Sequence, residues 1–134
     1  MRYLLDTNIC IYLIKKRPQA VLYEFVKHSP QNVAISAITL FELEYGAEKS
    51  QHQQRSKDAL ERFLAPLRCI DIDRQAAIES AVIRAELERK GTPIGPFDLL
   101  IAGVAKSRNM TLVTNNIKEY NRIEGLRLTN WIEQ

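Results

Sequence analysis

Short β-branched runs alternate with helical stretches along the whole 134-residue chain, and this alternation restricts the fold more than any other feature. Tyr3–Asp6, Val33–Ser36, Cys69–Ile72, Thr111–Thr114 and Leu126–Leu128 read as strands, being short, apolar and bounded by turn residues. Thr7 reads as the N-cap of a helix over Ile9–Ile14, and Pro18 opens a second helix that closes near Ser29-Pro30. A third helix runs from about Ala37 to Glu44, with Gly46 as its terminator. A fourth carries Ala59, Leu60, Phe63 and Leu64. Asp73 caps a long helix through Lys90, with Ala77, Ala81 and Ala85 as its expected apolar stripe and Gly91 closing it. Another helix begins near Pro96, a residue suited to a first turn, and Ile117–Tyr120 makes a short helical turn. Strands separated by helices predict the α/β class: a three-layer α/β/α sandwich around a central, mostly parallel sheet, in one domain spanning residues 1–134.

Composition narrows the class further. Hydrophobic residues make up 46% and charged residues 26%, which describes a chain able to bury a core rather than a disordered one. No segment is apolar over a bilayer's thickness and Asp6 and Asn8 interrupt the N-terminal apolar run, so the sequence predicts a soluble, cytoplasmic protein with no membrane partner. Cys10 and Cys69 lack metal-ligand spacing and both read as small buried apolar residues. A net charge of +3 is compatible with a nucleic-acid partner without requiring one.

Three acids stand where apolar residues are expected. Asp6 ends the first strand, Glu42 lies between Phe41 and Leu43, and Asp98 lies between Phe97 and Leu99. Singly, each has an ordinary explanation: Asp6 as a helix cap, Asp98 as a complement to a helix N-terminus, Glu42 on a solvated helix edge. Jointly they fall at one height, because helices that follow parallel strands begin at the carboxyl edge of the sheet, where open α/β sheets bind ligands. Carboxylates about 4 Å apart repel by roughly 4 kcal/mol at an effective dielectric near 20. A divalent cation relieves that repulsion, and oxygen donors favour Mg²⁺ or Mn²⁺. Asn116 and Glu119, beyond the fourth strand, are candidates for the remaining corner of the site, with turn formation and a solvated helix face as their alternatives.

The ordered set of Leu4-Leu5-Asp6-Thr7-Asn8-Ile9, Glu42-Leu43 with Tyr45-Gly46, Pro93-Ile94-Gly95, Asp98-Leu99-Leu100-Ile101-Ala102, Thr114-Asn115-Asn116 and Asn130-Trp131 resembles the PIN-domain nucleases. Among them it is most similar to the VapC toxins of bacterial toxin–antitoxin pairs, in their enteric-like subgroup. The resemblance implies a Mg²⁺- or Mn²⁺-dependent endoribonuclease in which Asp6, Glu42 and Asp98 are the core acids. Thr7, Asn8 and Thr114 support them, and Glu119 joins the catalytic set. Many PIN domains carry aspartate where this chain has Asn116, which leaves the number of metals open. The resemblance further implies a homodimer, inhibition by a VapB-type antitoxin, contact with operator DNA only through that antitoxin, and initiator tRNA cut in the anticodon stem-loop. Lys15-Lys16-Arg17, Lys106, Arg108, Lys118 and Arg122 are candidate contacts for the RNA.

Other readings fit less well. A haloacid-dehalogenase-like phosphatase wants a second aspartate two residues after the first, where this chain has Asn8. A receiver domain wants an acidic pair near strand one, which Asp6 alone does not make. A PIN nuclease of broader RNA/DNA specificity and a non-catalytic PIN-like binding module remain as alternatives.

Overall fold

A computed structural model describes residues 2–132. Five strands form one sheet: β1 (Tyr3–Leu5), β2 (Val33–Ser36), β3 (Arg68–Ile70), β4 (Thr111–Val113) and β5 (Arg127–Thr129). Their order is β3-β2-β1-β4-β5 and every pairing is parallel, so the sheet is wholly parallel where the sequence predicted mostly parallel. The helices are α1 (Thr7–Lys15), α2 (Gln19–Phe25), α3 (Ala37–Glu48), α4 (Gln53–Leu64), α5 (Arg74–Arg89), α6 (Pro96–Ser107) and α7 (Ile117–Tyr120), with a 3₁₀ turn at Pro30–Asn32.

Alternate strand residues point to opposite faces, and this divides the core in two. Leu4, Ala34 and Leu112 pack against Ala76, Ile83 and Leu87 of α5 and Ile101, Ala102 and Ala105 of α6. Leu5, Ile35 and Val113 pack on the other side against α1, α3 and α4 through Ile9, Leu43 and Leu60. The result is the expected three-layer sandwich.

Differences from the sequence expectations have local causes. Asp6, not Thr7, caps α1, its carboxylate accepting the Thr7 N–H. α3 continues through Gly46 to Glu48 because Leu43 and Ala47 bury the same helix face, which holds the helix past a poor helix former. On α5 the buried face is Ala76, Ser80, Ile83 and Leu87; Ala77 and Ala81 are exposed. Cys69 is exposed as well, since β3 is an edge strand, whereas Cys10 is buried as expected.

α5 and α6 make the most extensive helix–helix contact. Gly103 permits it: a Cβ there would collide with Ser80 Oγ and lie 3.0 Å from the Ala76 carbonyl oxygen. The serine can rotate, but the backbone carbonyl cannot. Gly103→Ala is therefore expected to destabilise the fold by about 1–3 kcal/mol, the range for overpacking a tight core. Urea unfolding measures this, and an unchanged midpoint would show that the helices separate freely.

Candidate active site

The strand register builds the site. Leu5 of β1 lies opposite Val113 of β4, so the next residues, Asp6 and Thr114, leave the sheet side by side. The Asp6 N–H still donates to the Val113 carbonyl at 2.9 Å. From this pair the chain turns to β2 on one flank and to β5 on the other, which makes the β1/β4 edge the crevice where ligands bind in open α/β sheets.

Asp6 is 5% exposed and tightly held. Its Oδ1 accepts the Thr7 N–H at 2.8 Å, and its Oδ2 accepts the Thr114 hydroxyl at 2.8 Å. Thr114 can donate there because its oxygen also accepts the Asn116 N–H at 2.9 Å, which fixes the direction of its single proton. The Tyr120 hydroxyl approaches Oδ1 at 3.5 Å, the outer edge of hydrogen-bond range.

Glu42 sits in the second turn of α3 and accepts the Thr7 hydroxyl at 2.6 Å. Behind it stands a file of hydroxyls. With its proton committed to Glu42, Thr7 accepts from Thr39 at 3.1 Å, and Thr39 in turn accepts from Ser36 at 3.4 Å. Ser36 is also the N-cap of α3, accepting the Thr39 N–H at 3.1 Å. One end of this chain therefore fixes the helix start, and the other orients an acid in the crevice.

Asp98 occupies the first turn of α6, behind Gly95 and Pro96, as the sequence predicted. Asn116 and Glu119 meet each other: the Asn116 side-chain amide donates to Glu119 Oε2 at 2.6 Å. Asn116 thus orients Glu119 instead of competing with it. Asn8 is exposed and borders a groove that also contains Thr7, Glu42, Phe41, Tyr45 and Phe97.

The acids act on one another. Burial pushes the Asp6 carboxyl up to about 6; its hydrogen bonds from Thr114 and Thr7 oppose the rise, and the charges of Asp98 and Glu42 add to it. Burial also raises Asp98, against the Tyr120 hydrogen bond and with the charges of Glu119 and Glu42. Tyr120 is raised by burial and by the neighbouring Asp6 and Asp98 charges, so its hydroxyl keeps its proton at neutral pH. None of the ion pairs among the described residues involves Asp6, Glu42, Asp98 or Glu119.

Four oxygen acids without a basic partner have the donor chemistry of a hard divalent cation. Among the described residues no three of His, Cys, Asp and Glu form a closed metal-holding group.

The basic candidates separate. Lys106 and Arg108 lie at the far end of α6 from Asp98, and Arg108 pairs with Asp73 at 3.4 Å, so neither belongs to the crevice. Lys15 lines a groove of about 440 Å³ that includes Glu42, Ile11, Ile14, Leu43 and Arg55. Arg122 donates to the Pro93 carbonyl at 3.2 Å, and Lys118 is exposed on α7. Tyr120, Thr39 and Ser36 were not singled out from the sequence. Ser36 carried a usable signal, a hydroxyl residue just ahead of a helix with a second hydroxyl three residues on.

Comparison with known proteins gives the family. Residues 3–126 match the PIN domain family. The tRNA(fMet)-specific endonuclease VapC of Salmonella typhimurium is 47% identical over 131 residues, covering 98% of each chain. Ribonuclease VapC2 of Rickettsia felis is 46% identical over 132 residues, again covering 98% of both. Among solved structures, the DNA-bound VapBC of Salmonella typhimurium superposes with a TM-score of 0.92 at 47% identity, covering 98% of each chain. VapBC2 from Rickettsia felis, bound to a DNA fragment from their promoter, gives 0.90 at 45% identity, covering 98% of this chain and 99% of that one. A family match over residues 3–126 and full-length similarity place the chain: it belongs to the PIN-domain family, in its VapC group.

Proposed function

We propose that this chain is the toxin of a type II toxin–antitoxin pair and hydrolyses RNA phosphodiesters with a divalent metal, its substrate being initiator tRNA cut in the anticodon stem-loop. The observation that carries the reading is the placement of Asp6 beside Thr114 at the β1/β4 crevice, within electrostatic reach of Glu42 and Asp98 and without a basic counter-charge. The substrate rests on the relatives named for tRNA(fMet).

Asp6, Asp98 and Glu42 would hold Mg²⁺ or Mn²⁺. When bound, the ion lowers the pKa of a water for in-line attack and offsets charge on the phosphate. The chain's own residues prepare for this. Two backbone-anchored bonds, from Thr7 N–H and from Thr114, lock the Asp6 carboxylate so that it cannot rotate away as substrate enters. Thr7 and the hydroxyl file hold Glu42 where it can orient a water. Asn116 holds Glu119 beside Asp98, as a further acid able to take up a proton or complete the site. The exposed rings of Phe41, Tyr45 and Phe97 offer flat surfaces for unpaired bases, which suits a loop better than a duplex.

A VapB-type antitoxin would lie in the apolar groove that runs from Lys15 and Arg55 to Glu42, and operator DNA would be reached only through it. Exposed Ile78 and Val82, beside Ala77 and Ala81 on α5, give a second copy an apolar face for a homodimer.

Side-by-side digestion of initiator tRNA, messenger RNA and single-stranded DNA, with Mg²⁺ and with EDTA, tests the proposal. Cleavage confined to the tRNA loop and abolished by EDTA is expected. Cleavage of all three substrates would replace it with a broader nuclease, and no cleavage of any would favour a binding module.

A further inference from the structure

The Tyr120 hydroxyl lies against both Asp6 and Asp98, hydrogen-bonding Asp98 and standing 3.5 Å from Asp6 Oδ1. Those acids come from distant parts of the chain, one leaving β1 and the other in the first turn of α6. The tyrosine reaches them from α7, a helix of only four residues, and the ring is fully buried in the α5–α6 side of the core. Its backbone is pinned at both ends, the N–H donating to the Asn116 carbonyl at 3.2 Å and the carbonyl accepting the Ile123 N–H at 3.0 Å. A phenylalanine would fill the same apolar space. The hydroxyl is the part that packing does not require, since a buried polar group is unfavourable unless bonded.

The Asp6 lone pairs show what it does. Oδ1 takes the Thr7 N–H and Oδ2 takes Thr114, so the carboxylate is already held before the Tyr120 oxygen comes within 3.5 Å of Oδ1, and the single Tyr120 proton is free for Asp98. Among the described residues Asp98 shows no comparable set of backbone anchors to its side chain, and its hydrogen bond comes from Tyr120. From these contacts we infer that Tyr120 is a positioning residue: its hydroxyl, seated against the rigid Asp6, holds Asp98 and sets the distance across which the two acids share a divalent cation. The inference rests on the metal-dependent reading above. Oriented partners of metal ligands generally govern affinity, because the ligands need not be reordered when the ion arrives.

The test is Mn²⁺ binding by the full-length chain, followed by loss of the free-ion electron paramagnetic resonance signal, for wild type and Tyr120→Phe. Melting of each in EDTA is measured in parallel. Tyr120→Phe is expected to weaken Mn²⁺ binding by roughly tenfold, on the scale of lost outer-shell partners, with little change in the EDTA melt. At saturating Mn²⁺ its cleavage rate should return to near wild type, because the acids themselves are intact. Tyr120→Leu, which also removes the ring, separates packing from the hydroxyl: it should melt lower than Tyr120→Phe in EDTA. Unchanged Mn²⁺ affinity in Tyr120→Phe overturns the inference while leaving the nuclease reading in place, and so does a lower melt with unchanged affinity. Failure of the wild type to bind Mn²⁺ overturns both.

Discussion

Asp6→Asn is expected to abolish cleavage and, in the same molecule, to raise the melting temperature of the metal-free protein. Loss of activity should exceed about a hundredfold, since even outer-shell changes around a metal cost 10–100-fold. The gain in stability follows from burial. Asp6 is pushed from an ordinary 3.8 up to about 6, and at about 1.4 kcal/mol per pH unit its ionised form costs the fold about 3 kcal/mol at neutral pH. An amide carries no such charge. It can still accept the Thr7 N–H through its oxygen and donate to Thr114 through its nitrogen, so the anchoring contacts survive with the proton direction reversed. A rise of about 10 °C in EDTA is the corresponding shift for a domain of this size. Mg²⁺ should stabilise the wild type and leave Asp6→Asn unmoved. Circular dichroism melts with and without Mg²⁺, beside a cleavage assay, check both halves. Wild-type cleavage by Asp6→Asn would remove Asp6 from the mechanism.

Acidification should act on stability and on activity in opposite directions. A carboxyl whose pKa is higher in the folded than in the unfolded state binds more protons when folded between the two values, so stability falls as pH rises through that window. For Asp6 the window runs from 3.8 to about 6, and the raised Asp98 works in the same direction. Other groups titrate there too, so the clean measurement is the difference between wild type and Asp6→Asn. In EDTA the two should converge near pH 4 and separate to about 3 kcal/mol by pH 7.5. Urea unfolding across pH reads this directly, and a constant gap would mean that Asp6 is ionised at no cost to the fold. Metal binding requires the charged form, so Mg²⁺ affinity, and cleavage at subsaturating Mg²⁺, should fall as the pH drops below about 6.

The parts of this molecule legible in its sequence are those decided locally. β-branched runs gave the strands to within a residue or two, Pro96 placed the start of α6, and that start placed Asp98. The three acids stood out because each interrupts an apolar stretch. Long-range partners decided the rest. Tyr120 meets Asp6 across 114 positions, and no local pattern separates its hydroxyl from a core ring. The alanines of α5 mimicked a buried stripe, but the face that α6 covers runs through Ser80, which the glycine opposite makes room for. Lys106 and Arg108 read as substrate contacts in sequence because basic groups offset the field of an acidic site, but a helix of 12 residues puts them at the end away from Asp98. Cys69 read as buried for want of knowing that β3 lies at the edge.

Close seating of Gly103 against α5 reaches further than stability. Asp98 lies five residues before it on the same helix, about 7.5 Å along the axis at 1.5 Å per residue. The acid is therefore carried on a clamped beam, with its height set by the α5–α6 joint and its lateral position set at the crevice. Segment 91–95, which leads into α6, adds its own ties, with Ile94 packed against the core and the Pro93 carbonyl held by Arg122. A substitution at the α5–α6 joint would therefore shift the carboxylate on which the chemistry depends without touching any residue of the crevice itself.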